Sequence, residues 1–80
     1  MEERIIQPSE LVALAKEARS ATGKTRAEVA RELDVARPTI VQAEEEPERA
    51  LHKLRKQIIE RYSEYEVIGP VYLLRKKKMV

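Results

Sequence analysis

A succession of stop and start signals, Gly23, Thr25, Asp34, Pro38 and Pro47, divides this chain as far as residue 47 into segments no longer than a short helix. Ser9 stands where an N-cap belongs, and Leu11, Leu14, Ala15, Ala18 and Ala21 follow at the three-and-four spacing of one helical face, which Gly23 ends. Thr25-Arg26-Ala27-Glu28 has the form of a capping box. It opens a second helix that carries Val29, Ala30 and Leu33 inward and closes at Asp34. Ala36-Arg37-Pro38 begins a third helix, since Pro in a first turn breaks no hydrogen bond, and Ile40 and Ala43 are its inward positions. The acidic run Glu44-Glu45-Glu46 leads to Pro47, which is suited to start a fourth helix with the stripe Leu51, Leu54, Ile58 and Tyr62.

Short helices agree with what the core can be made of. The 80 residues include no Phe and no Trp, so Leu, Ile, Val and Ala fill it, with Tyr62, Tyr65 and Tyr72 at its margins. From Tyr65 the period changes. Tyr65-Glu66-Val67-Ile68 and Val71-Tyr72-Leu73-Leu74 are rich in β-formers and flank Gly69-Pro70, which predicts a hairpin of two short strands; one kinked edge strand is the alternative. The expectation is a single mainly α domain over 1–80. It comprises a flexible leader 1–8, a helical core 9–62, a C-terminal β-hairpin or strand within 65–76 and a tail 77–80. A chain of this size is near the lower limit for an independent core, so help from a partner is expected.

Composition removes several classes of function. Without Cys there is no disulfide or thiolate site, and His52 has no second His with which to build a metal centre. An isolated His beside Lys53 reads as a surface residue. Ser9, Ser20 and Ser63 have no accompanying His and carboxylate pattern, and two glycines, Gly23 and Gly69, make no phosphate-binding loop. We expect no enzyme activity, no cofactor and no metal. No apolar run reaches the roughly 18 residues that span a bilayer, and no signal-peptide pattern opens the chain, which predicts a cytoplasmic protein with no membrane partner. Sixteen basic against fourteen acidic residues leave a net charge of only +2, and setting aside the run Arg75 to Lys78 reverses the sign. A nucleic-acid role must therefore rest on placement, not on bulk charge.

The stretch TRAEVARELDVARPTIVQAEEE, residues 25 to 46, supplies such a placement: it resembles the helix-turn-helix of the Cro and phage-repressor (XRE) type. Counting from Arg26, Ala30 fills the fifth place, where two helices cross closely. Val29, Leu33, Val35, Ile40 and Ala43 fill the apolar places four, eight, ten, fifteen and eighteen. Two positions depart from the pattern. Asp34 stands where the family commonly has a left-handed Gly, at a cost of about 1 kcal/mol, and Ala36 stands where Ser or Thr commonly caps, which forfeits about 1 kcal/mol and a hydroxyl. The resemblance implies a four-helix helix-turn-helix domain whose third helix enters the major groove of double-stranded DNA. It implies base contacts from Arg37, Pro38, Val41 and Gln42: a guanidinium can donate to guanine O6 and N7, a Gln amide can bond adenine N6 and N7, and Pro38 and Val41 can meet thymine methyls. Backbone contacts fall by the same implication to Arg26, Thr39 and Lys24.

The plain alternative is a helical bundle that binds no DNA. The acidic run Glu44 to Glu48 reads as solvated surface, and Arg75 to Lys78 as either a phosphate-following strip or a disordered solubilising tail. The β segment has apolar residues of both parities, Val67, Val71 and Leu73 on one and Ile68, Tyr72 and Leu74 on the other. One face should therefore be free to meet a second subunit, as the C-terminal strand does in Cro-type proteins, and the dimer interface is expected among Val67, Ile68, Val71, Tyr72, Leu73 and Leu74. The expected function is a homodimeric, sequence-specific transcriptional regulator, a repressor at a partly palindromic operator. The alternative is the antitoxin of a toxin-antitoxin pair, with a protein toxin as second partner, and a third reading is a helical adaptor.

Overall fold

The computed structural model describes residues 3–69 and 73–78. Its elements run β1 (Glu3–Ile5), α1 (Glu10–Thr22), α2 (Arg26–Leu33), α3 (Arg37–Glu45), α4 (His52–Tyr62), β2 (Tyr65–Ile68) and β3 (Leu73–Lys76). The domain is mainly helical with a small antiparallel sheet, as the sequence predicts. The capping box is present: the Glu28 amide donates to the Thr25 hydroxyl at 3.1 Å, and the Thr25 amide to the Glu28 carboxylate at 2.8 Å. Gly23 (φ 78°) and Asp34 (φ 56°) both end their helices in the left-handed conformation. Asp34 thus does in this turn what Gly does at little cost elsewhere.

Two helix starts differ from expectation. Ser9 makes no side-chain cap. The Glu10 carboxylate accepts from the Gln7 amide instead, at 2.9 Å, and so stabilises the turn that precedes α1. Helix α4 begins at His52, not at Pro47. The Glu46 carbonyl accepts from the Arg49 amide and from the Arg55 guanidinium, which uses an acceptor that a helix starting at Pro47 would need.

Leu11, Ala15, Ala18, Val29, Ala30, Ile40, Ala43, Leu54, Ile58 and Ile59 form the helical core, with Leu14, Leu33, Val35, Leu51, Tyr62 and Tyr65 packed at its edge. Ala21, expected on the α1 stripe, stays exposed. It lies on the rim of an open apolar groove of about 300 Å3 that also touches Leu14, Ile59 and Leu74.

The sheet has the order β1-β3-β2, all antiparallel, so the hairpin forms and the single kinked strand does not. The expected turn at Gly69-Pro70 and the strand start at Val71-Tyr72 fall partly or wholly on residues 70 to 72, outside the described residues. Residues 3 to 5 of the leader are a strand, not a flexible arm, and Ile6, 3% exposed, enters the core behind it. The register also corrects the expected grouping by parity. Val67 pairs with Leu74 and Ile68 with Leu73, and directly opposed residues share a face. Val67 and Leu74 are 1% and 3% exposed and belong to the core of the subunit, which takes both out of the expected dimer interface. Ile68 and Leu73 point the other way, in one row with Ile5, which is 69% exposed.

The basic run is not a loose tail where it is described. Arg75 lies in β3 against Glu66, Lys76 pairs with Glu64 at 3.2 Å, and the Lys77 ammonium donates to the carbonyls of Glu60 and Ser63 at the end of α4.

Candidate nucleic-acid interface

Helix α3 has two unlike sides. Ile40, Ala43 and Glu44, spaced three and four apart, are buried. Around the rest of the helix Arg37 and Pro38 are exposed, and Thr39, Val41 and Gln42 are half-exposed. Successive turns align Arg37 with Val41 and Pro38 with Gln42, so the four expected base-contacting residues share one open side of a nine-residue helix. Its N-terminal turn is bare of acidic residues. Ala36 caps with its backbone alone, as its side chain requires.

The acidic run expected as solvated surface divides: Glu45 and Glu48 are exposed as expected, whereas Glu44 is built into the fold. The Glu44 side chain is wholly buried. Arg19 of α1 donates to it twice, from Nε at 2.6 Å and Nη2 at 3.0 Å, and Arg26 of α2 donates from Nε at 2.8 Å. Arg26 Nη2 also reaches Glu45 at 2.5 Å, and Lys16 meets the same carboxylate at 2.9 Å. Glu46 pairs with Arg49 at 3.0 Å. One carboxylate therefore ties three helices together, and Glu44, Glu45 and Glu46 each have a cation beside them. This lowers the repulsion the run would present to a polyanion.

Of the expected backbone contacts, Thr39 is half-exposed at the start of α3. Lys24 is engaged with Glu32 at 2.8 Å, while its carbonyl accepts from Arg19. The hydrogen bond to Glu44, more than any other contact, holds Arg26 above the usual arginine range, and Lys16 first, then Arg26, holds Glu45 below the usual carboxylate range. Glu32 is held low by Lys24 and then by the Tyr62 hydroxyl, and Glu28 by the Thr25 amide.

These three carboxylates fix a pH dependence. A group whose folded pKa is depressed contributes stability that is fully present above its unfolded value and is lost as pH falls through the folded one. We expect melting temperatures to decline once pH drops below the ordinary glutamate value of 4.5. Circular dichroism melts from pH 7 to 3 check this, and Glu45→Gln should flatten the decline. An acid limb identical in that variant would remove Glu45 from the explanation.

The helix-turn-helix resemblance, not periodicity, singles out Arg37, Pro38, Val41 and Gln42, and neither signal reaches Arg19, Glu44 and Arg55 in the scaffold behind them. No group of His, Cys, Asp and Glu among the described residues could hold a metal, and no helix there is long and apolar enough to cross a membrane. Comparison with protein-family models, with curated proteins and with solved structures found no match.

Proposed function

We propose that this chain is a sequence-specific DNA-binding regulator, acting as a repressor, that lays α3 in the major groove and binds a partly palindromic site as a homodimer. The observation that carries the reading is the division of α3: Arg37, Pro38, Val41 and Gln42 share its open side, while Ile40, Ala43 and the Glu44 carboxylate anchor the other. A base-reading helix needs both, because contacts to base edges discriminate only when the donors are held in register. Arg26, with a side chain 25% exposed, reaches a phosphate by exchanging Glu45, and Glu45 then keeps Lys16. Thr39 and Lys24 flank the groove as further backbone contacts. The second subunit meets this one along the apolar row Ile5, Leu73 and Ile68, a reading supported by the register that turns this row away from the core. The same row favours a second reading, an antitoxin whose sheet meets a protein toxin.

Selection of bound duplexes from a random pool tests the proposal, and a recovered dyad motif is the expected result. With that duplex in hand, Arg37→Ala and Gln42→Ala should each weaken specific binding by about 1 to 3 kcal/mol while binding to random duplex changes little. Fluorescence anisotropy on the two duplexes measures both, and parallel losses on both would contradict base reading. Arg26→Ala is a poor probe of phosphate contact alone, since it also takes a cation from buried Glu44.

A further inference from the structure

Arg55 of α4 is the largest fully buried side chain among the described residues, and no described carboxylate forms an ion pair with it. Its nitrogens donate to three separate main-chain carbonyls: Nε to Ala43 at 2.9 Å, Nη2 to Glu46 at 2.8 Å and Nη1 to Arg49 at 2.9 Å. The first carbonyl lies in the last turn of α3, the second belongs to its C-cap, and the third lies in the segment leading to α4. A helix C-terminus leaves its final carbonyls unpaired and carries partial negative charge, so a buried guanidinium there is stabilised by main-chain acceptors, to which the charge of Glu48 adds without an ion pair. Its planar fork meets several acceptors at fixed angles, which a Lys ammonium on a flexible stem does not reproduce. Burial pushes its pKa down, but a guanidinium remains protonated.

We infer that Arg55 is a positioning residue for the interface: by clamping the C-terminal end of α3 to α4, it sets the attitude at which Arg37 and Gln42 leave the protein, without itself touching DNA. Glu44 secures the side of α3 toward α1 and α2. Arg55 secures its end, where the backbone turns away. The inference rests on the duplex reading above for its functional half and on the main-chain hydrogen bonds for its structural half.

The test uses the full chain with Arg55→Lys and Arg55→Met and reads two quantities. Amide exchange compares Ile40 to Glu45 of α3 with Leu14 to Ala18 of α1, and anisotropy compares the selected duplex with a random one. In Arg55→Lys the α3 amides should exchange about tenfold faster relative to those of α1, and affinity for the selected duplex should fall about tenfold, with random-duplex affinity within about twofold. Equal acceleration in α1 and α3, or equal loss on both duplexes, overturns the inference, because an Arg that merely supports the fold would affect all of these together. Should Arg55→Met fail to fold, Arg55→Lys carries the comparison by itself. If the wild type selects no duplex, the regulatory reading falls, and the ratio of α3 to α1 exchange still decides whether Arg55 holds the helix.

Discussion

Glu44→Ala should lower stability by about 3 kcal/mol, the usual penalty for removing one partner of a buried ion pair. A chain of this length has roughly 4 to 12 kcal/mol in all, so the loss is a large share of the total, and the melting temperature should fall by roughly 12 to 24 °C. The reason lies in what remains. Arg26 keeps Glu45, but Arg19, with a side chain only 13% exposed, loses both of its bonds to Glu44 and retains the Lys24 carbonyl. The double substitution Arg19→Met and Glu44→Met removes the unpaired charge together with its partner and should recover most of the loss, because apolar replacement of a whole buried pair is often neutral or stabilising. Thermal and denaturant unfolding of the two variants separate the cases. A Glu44→Ala protein within about 1 kcal/mol of the wild type would mean that the pair behaves as a solvated surface contact.

That network shows where sequence reading reached and where it stopped. Part of the helix punctuation was legible because its signals are local: Thr25 and Glu28 cap each other, and Gly23 and Asp34 adopt the conformation their residue types tolerate, whereas Ser9 and Pro47 do not start their helices as expected. The inward stripes were legible by period. The same period places Arg19 four residues after Ala15, Glu44 four after Ile40 and Arg55 four after Leu51, so all three charges lie on stripes that were read as apolar only. Their partners lie in other helices or in distant main chain, which no local rule supplies. Charge on an apolar stripe was the available signal. The strand β1 gave less, since Glu3-Arg4-Ile5 is too short and too polar to read as a strand, and it pairs with β3 at the far end of the chain. Strand faces were misassigned for a related reason: parity counted through a turn ignores the antiparallel register, which opposes Val67 to Leu74.

That register changes the experiment that tests assembly. Removing residues 65 to 80 would take Val67 and Leu74 out of the core, so loss of structure would follow whether or not the segment makes a dimer. The outer row Ile5, Leu73 and Ile68 can be altered without touching them. Ile5→Lys combined with Ile68→Lys should leave the circular dichroism spectrum unchanged and give a monomer by sedimentation, whereas Val67→Lys should unfold the chain. In the dimer two copies of α3 would stand about 34 Å apart, one turn of DNA, so that binding one half-site presents the second helix to the other. Losing that linkage costs effective concentration and no direct contact, and it should reduce full-site affinity by roughly 100-fold to 10,000-fold while half-site affinity stays the same. Charge placement supports the choice of face. Arg75 sits between Glu3 and Glu66 in the adjoining row and pairs with both, so the polar border of the apolar row is satisfied within the subunit and demands no charge from its partner. A doubly substituted protein that keeps the mass of a dimer and the full-site affinity of the wild type would move the interface away from this face. One that becomes monomeric yet binds the full site undiminished would show that the two half-sites are not read together.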